Sequence, residues 1–201
     1  MLFLCIVMRN VVFAGVMTLL PVLVNGGIHM DGFLDTMDAL NSYGSREKKL
    51  EILKDSRTGA FAVIGFGLYL VASLALWSEA KSEMLPVIGA GYVMSRSLSG
   101  LSVMVFHLRK RRTWTNLSGA GTQETGGSCD GVLVFAALAV MLMTSVQMGA
   151  AALCTALLVS VITDHMAMKQ FGGMTGDLAG YFLQLAELLI LAAVIVAGGA
   201  L

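Results

Sequence analysis

The sequence predicts an all-α, polytopic integral membrane protein of about six transmembrane helices with its active site at the cytoplasmic face. Composition is the first reason: 57% of the 201 residues are hydrophobic and 13% are charged, where a soluble domain carries roughly 25% charged residues. Mean hydropathy is +0.81. The second reason is arrangement, because apolar runs near the ~20 residues needed to cross hydrocarbon alternate with polar segments. The third is charge placement. With spans near 1–24, 58–77, 84–107, 131–147, 149–163 and 178–201, the loops 25–57, 108–130 and 164–177 share one side. That side holds Arg46, Lys48, Lys49, Lys54, Arg57, the run Arg109, Lys110, Arg111, Arg112, and Lys169, ten of the thirteen Lys and Arg residues. An excess of Lys and Arg marks the cytoplasmic side.

Each element has its own justification. Met1–Val24 is apolar apart from Arg9 and Asn10; with no small-residue cleavage site after it, it reads as a retained span rather than a signal peptide. The charged segment Asn41–Arg57 reads as helical and solvated. Thr58–Trp77 is long enough to cross, with Trp77 suited to the far interface. Met84–His107 follows, with Ser95, Arg96 and Ser97 near its middle. The 108–130 segment reads as a mobile, Gly/Thr/Ser-rich loop. The 32 apolar residues from Gly131 to Ile162 exceed one ordinary span and divide best at Gln147–Gly149. That division puts the 172–177 segment on the same face as Asp31–Asp38. The last run, Leu178–Leu201, contains a single acid, Glu187. The whole chain, 1–201, reads as one membrane domain. Zero net charge gives no reason to expect a nucleic-acid partner. Of the cysteines Cys5, Cys129 and Cys154, the two in apolar runs read as small buried hydrophobes.

The chemistry concentrates where the first apolar run gives way to Asp31, Asp35 and Asp38. On a helix, i, i+4, i+7 spacing puts all three on one face with neighbouring Cβ atoms about 5–6 Å apart. At an effective dielectric of 20 each neighbouring pair costs on the order of 2–3 kcal/mol. A divalent cation removes that cost, and all-oxygen donors favour Mg²⁺ or Mn²⁺ over zinc. The plain alternative is a solvated loop face, against which stand the adjoining span and the absence of any basic residue until Arg46. His29 is a candidate ligand or proton carrier, though a lone interfacial His is commonly structural.

Lys54, Asp55, Ser56 and Arg57 precede the second span. They are either a juxtamembrane basic anchor or a phosphate clamp in which Arg57 grips oxygens bidentately, Lys54 adds a charge and Asp55 orients one of them. Gly59 would permit close approach. Arg96 sits in mid-span, where a charge costs roughly 2.5–3.5 kcal/mol on insertion scales. Pairing with Glu187 and binding of a substrate phosphate are the two readings. Residues 109–112 read as topology determinants or contacts to anionic lipid. Gly172, Gly173, Thr175, Gly176 and Asp177 form a glycine-rich turn before the last helix, with Asp177 as N-cap, exposed amides as an anion site and Asp177 as a candidate further metal ligand.

Taken in order, the motifs Gly26-Gly27-x-His29-x-Asp31-Gly32-x-x-Asp35-Thr36-x-Asp38, Lys54-Asp55-Ser56-Arg57-x-Gly59 and Gly172-Gly173-x-Thr175-Gly176-Asp177, with Ser95-Arg96 and a downstream Glu187, closely resemble the cobalamin synthase family. The resemblance runs from Gly26 to about Ala193. It departs from the family at Ala39, where Gly is usual, at Gln184, where an acid is common, and through 108–130. Family members usually begin with further N-terminal sequence, part of which this chain is expected to lack.

The resemblance implies a multi-pass inner-membrane enzyme of late vitamin B12 assembly, an adenosylcobinamide-GDP ribazoletransferase. Its substrates would be adenosylcobinamide-GDP and α-ribazole or α-ribazole 5′-phosphate, with release of GMP and a requirement for Mg²⁺. Membrane lipid and other late enzymes of the pathway are candidate partners. Asp31, Asp35 and Asp38 would hold the metal. Catalysis would fall to Asp35, Asp38, His29, Lys54 and Arg57, and substrate binding to Lys54, Asp55, Ser56, Arg57, Arg96, Gly173, Thr175 and Asp177. Other aspartate-rich transferases fit less well. A CDP-alcohol phosphatidyltransferase expects D-G-x-x-A-R where this chain runs Asp31-Gly32-Phe33-Leu34-Asp35-Thr36, and a prenyltransferase expects adjacent acids. A small ion-coupled transporter would carry acids nearer mid-span and internal repeats.

Overall fold

The computed structural model describes residues 2–55, 57–114 and 127–199, with side chains for 10–55, 57–100 and 131–199. The described residues form eight α-helices and one short 3₁₀ turn: α1 (Leu2–Val24), α2 (Ile28–Asn41), α3 (Arg46–Ile52), α4 (Ala60–Glu79), the turn Ser82–Met84, α5 (Leu85–Trp114), α6 (Gly127–Thr144), α7 (Val146–Gln170) and α8 (Gly176–Ala197).

Helix α8 is the axis of the bundle. Within its most apolar window 56% of residues are buried in the protein, against 28% for α4 and α7. Its inward residues Phe182, Leu183, Ala186, Ile190, Leu191, Val194 and Ile195 form the core with Val87, Ile88 and Met94 of α5, Met141 of α6 and Ala152, Ala156 and Val159 of α7. The outer faces are equally apolar, with Val12, Val16, Val63, Leu68, Val71, Phe135, Leu158 and Val161 exposed. Such a surface is stable against hydrocarbon and unstable against water. By length and composition α4, α7 and α8 can cross a membrane among the described residues, and a fourth span results if α1 and α2 count as one broken crossing. Helix α6 adds the shorter apolar stretch Gly131–Thr144, and α5 carries Ser95, Arg96 and Ser97 in its midst. Six crossings were expected; among the described residues three helices, or four with the broken α1–α2 pair, have the length and composition for one.

Several local expectations shift. The α6–α7 division falls at Ser145, whose hydroxyl caps α7 by accepting from the Met148 N–H, and not at Gln147–Gly149. Gly149 instead allows close packing, since a Cβ there would lie 3.0 Å from the Met141 carbonyl. Trp77, two residues before the end of α4, is buried edge-on against Phe13. Cys154, expected to be buried, lies exposed on α7. The helical segment expected within 41–57 is α3, yet its Lys49 is buried.

The turn that delivers the acidic motif follows from Asn25, Gly26 and Gly27. At the end of α1 the Gly27 N–H reaches the Val22 carbonyl (2.9 Å) and the Gly26 N–H the Leu23 carbonyl (3.2 Å). This 6→1, 5→2 pattern is a Schellman cap, and it demands a left-handed residue that glycine supplies without strain. Gly26 has φ 61° and Gly27 φ 80°. Two such residues in succession turn the chain by 92° into α2.

Candidate active site

Helix α2 carries the acids and is held by close backbone contact with α8. A Cβ at Gly32 would lie 2.8 Å from the Asp177 Cα, and one at Gly180 would lie 2.9 Å from the His29 carbonyl oxygen. Small residues at a crossing let helix backbones approach. Phe33 locks the crossing by stacking on Tyr181 with 5.5 Å between ring centroids and tilting against Tyr69. The crossing sets Asp177 beside the Asp31 motif, so the two acidic segments meet as the helix division required. The carboxylates of Asp31, Asp38 and Asp177 all act on Asp35. Asp31 is exposed, and Asp35, Asp38 and Asp177 are half-buried.

The three-carboxylate reading of α2 divides at Asp38. Its Oδ2 accepts from the Gly59 N–H at 2.6 Å and its Oδ1 from the Ala62 N–H at 2.9 Å. Gly59 is the N-cap of α4 and has no side chain to close the first turn. Asp38 supplies the missing acceptor from another helix, placing a negative charge at the positive end of α4. Any side chain at Gly59 would strike that carboxylate. Asp38 was expected as a metal ligand and catalytic group. The structure gives it, in addition, the task of positioning α4, because each of its oxygens accepts from a helix amide.

The bond between Asp38 and Gly59 also tethers the basic loop to α2. Within it the Arg57 guanidinium forks onto Asp55, with Nη2 to Oδ2 at 2.8 Å and Nε to Oδ1 at 3.1 Å. These bonds hold the Asp55 carboxyl below the usual carboxylate range. Lys54 and Arg57 are exposed, whereas Ser56 lies outside the described residues. The basic run 109–112 belongs to α5, with side chains outside the described set.

The glycine-rich turn departs in one detail. Thr175, not Asp177, is the N-cap of α8, its hydroxyl accepting from the Leu178 N–H at 3.3 Å. Asp177 stands in the first turn, turned toward α2. The preceding turn is clamped by α3. The Arg46 Nε donates to the Phe171 carbonyl at 2.9 Å with its guanidinium over Gly172, and the Lys49 Nζ donates to Gln170 Oε1 at 2.8 Å. Sequence reasoning read both cations as a solvated face. Their i, i+3 spacing, which puts them on one side of a helix, was the available signal.

Arg96 sits apart from these groups. Its Nη2 donates to Glu187 Oε1 at 3.0 Å and its Nη1 to Asn25 Oδ1 at 3.3 Å. Glu187 is ten residues along α8 from Asp177, a rise of about 15 Å. Of the two readings of Arg96 the structure forms the ion pair, beneath the carboxylates and away from the Lys54–Arg57 loop.

Residues 1–195 match the family described as cobalamin-5-phosphate synthase. The chain belongs to that family. An adenosylcobinamide-GDP ribazoletransferase of Lachnoclostridium phytofermentans is 40% identical over 94% of this chain and 73% of that protein. Proteins of the same description from Citrobacter koseri and Pseudomonas fluorescens are 30% and 34% identical, over 86% and 85% of this chain and 70% of each relative. No solved structure matches the chain.

For this cobalamin-5-phosphate synthase family member the arrangement has clear chemical capacities. Asp31, Asp35 and Asp177 are hard oxygen donors whose mutual repulsion a divalent cation would relieve, so the donor chemistry suits Mg²⁺. Among the described residues no three His, Cys, Asp or Glu side chains are gathered as a formed metal site. Closing such a site needs the carboxylates to converge.

Proposed function

We propose that the protein is an adenosylcobinamide-GDP ribazoletransferase of the bacterial inner membrane. It joins the adenosylcobinamide phosphoryl moiety to α-ribazole, or α-ribazole 5′-phosphate, and releases GMP. Within its family context the observation that supports this most is the meeting of Asp31 and Asp35 with Asp177 across the α2–α8 contact, on a helix that Asp38 ties to the Lys54–Arg57 loop. Asp31, Asp35 and Asp177 would hold Mg²⁺, which when bound neutralises charge on the pyrophosphate and the departing GMP.

The chain's own residues account for the rest. Lys54 and Arg57 bind phosphate oxygens of the nucleotide. The exposed bond of Arg57 to Asp55 is cheap to break, so the guanidinium can exchange it for a bidentate grip on phosphate. Gly173 and Thr175 place α8's N-terminal amides toward the same anion. The ribazole 3′-hydroxyl oxygen attacks the cobinamide-linked phosphorus, the phosphorus–oxygen bond to GMP breaks, and Asp35 or His29 takes the hydroxyl proton. No covalent enzyme intermediate is required. The test is purified protein in lipid nanodiscs with adenosylcobinamide-GDP, α-ribazole and Mg²⁺. GMP and a cobalamin product should appear together and vanish with chelator; product formation indifferent to chelator would refute the metal assignment.

A further inference from the structure

The proposed chemistry leaves Arg96 and Glu187 unused, although charge inside a membrane bundle, and a buried carboxylate above all, is expensive. The Glu187 side chain is 1% exposed and its Oε1 receives Arg96. A pair that merely joined α5 to α8 would need no third member. Here Arg96 also binds Asn25 Oδ1, while the Asn25 Nδ2 donates to the Pro21 carbonyl at 2.6 Å. One amide thus closes the last turn of α1 and receives the arginine, immediately before the two left-handed glycines that aim α2. Glycine backbones have many alternatives, so the angle of α2 needs an external anchor. The geometry makes a closed circuit, from Glu187 on α8 through Arg96 and Asn25 to α2, and back to α8 where Gly32 and Gly180 touch.

We infer that Arg96 is a positioning residue, fixed by Glu187, that holds the Asn25–Gly27 turn so that α2 sets Asp31 and Asp35 beside Asp177. The inference rests on the transferase reading of the site. Three variants test it: Asn25→Ala, Arg96→Lys, and the double Arg96→Met with Glu187→Leu. The double removes both charges together, avoiding the unpaired charge that would unfold a single variant. Lys can keep the contact to Glu187 but lacks the fork that also reaches Asn25. All three should melt near the wild-type temperature while kcat falls on the order of 10²-fold, as expected for a displaced catalytic group, with KM for adenosylcobinamide-GDP little changed. Wild-type kcat in Asn25→Ala or in the double variant overturns the inference, and so does a raised KM at constant kcat, which would make Arg96 a substrate contact. Spin labels at positions 41 and 176 in a cysteine-free background give a readout independent of turnover. The distance distribution should broaden in Asn25→Ala, and an unchanged distribution refutes the anchor. Wild-type protein that releases no GMP would count against the transferase reading, and the spin-label distances would still decide the positioning role.

Discussion

Two layers of charge lie along the α2–α8 contact, and they are treated in opposite ways. At the end where α8 begins, Asp31, Asp35 and Asp177 lie within electrostatic reach of one another, and the charges acting on Asp35 are all those of other carboxylates. About 15 Å deeper, Glu187 faces a guanidinium that is itself shared with Asn25. A chain that pairs the buried Glu187 with an arginine has the means to pair the upper carboxylates as well, and it carries cations nearby. It commits Arg46 and Lys49 to the Phe171–Gly172 turn and Arg57 to Asp55. The lower layer completes its own charge balance and so holds structure together. The upper layer leaves its balance to come from outside, which is what the proposed binding of a cation and a phosphorylated substrate requires.

The largest effect should come from removing charge in the upper layer. Asp35→Asn keeps size and hydrogen bonding while removing the charge that the proposed site uses as ligand or base. GMP release should fall about 10²–10⁴-fold, with the protein still inserted and its melting temperature unchanged or raised, because repulsion is relieved. A variant that keeps near-normal turnover would place the chemistry elsewhere and make the upper layer a solvated face.

Asp38 sharpens the boundary between the layers, since it lies one turn from Asp35 and behaves like the lower one. Asp38→Ala removes the acceptor for the Gly59 and Ala62 amides and should cost about 1–2 kcal/mol, the scale of a lost N-cap. A lowered melting temperature in detergent with an unchanged Mg²⁺ requirement is the expected result. A shift in Mg²⁺ dependence at constant stability would return Asp38 to the metal site.

The sequence carried the membrane class, the helical acidic face and the need to divide Gly131–Ile162, because apolar run length and i, i+4 spacing are local properties. Arg96's pairing with Glu187 was legible as one of two readings, since an intramembrane charge needs a partner. What was not legible depends on long-range approach. Nothing local distinguishes Asp38 from Asp35; only the arrival of a cap-less Gly59 does. Trp77 and Cys154 sit in runs so uniformly apolar that no periodic signal tells the core side from the lipid side. Thr175 outranked Asp177 as a cap because the chain straightens one residue before Gly176, a register that composition does not reveal.

The smallest effect belongs to Asp55, and it asks whether the upper layer truly holds its cations in reserve. The Arg57 bonds depress the Asp55 carboxyl, so any stability they give is present above the ordinary carboxylate pKa and lost as pH falls through the lower folded value. Arg57 is exposed and Asp55 half-buried, and solvent screens such pairs. Asp55→Asn should therefore leave the melting temperature unchanged from neutral pH down to about pH 4, while KM for adenosylcobinamide-GDP falls, because Arg57 no longer has to give up Asp55 to grip phosphate. A marked loss of acid stability would mean that the pair is part of the fold, and Arg57 would then belong with Arg96 and Arg46 among the cations already spent.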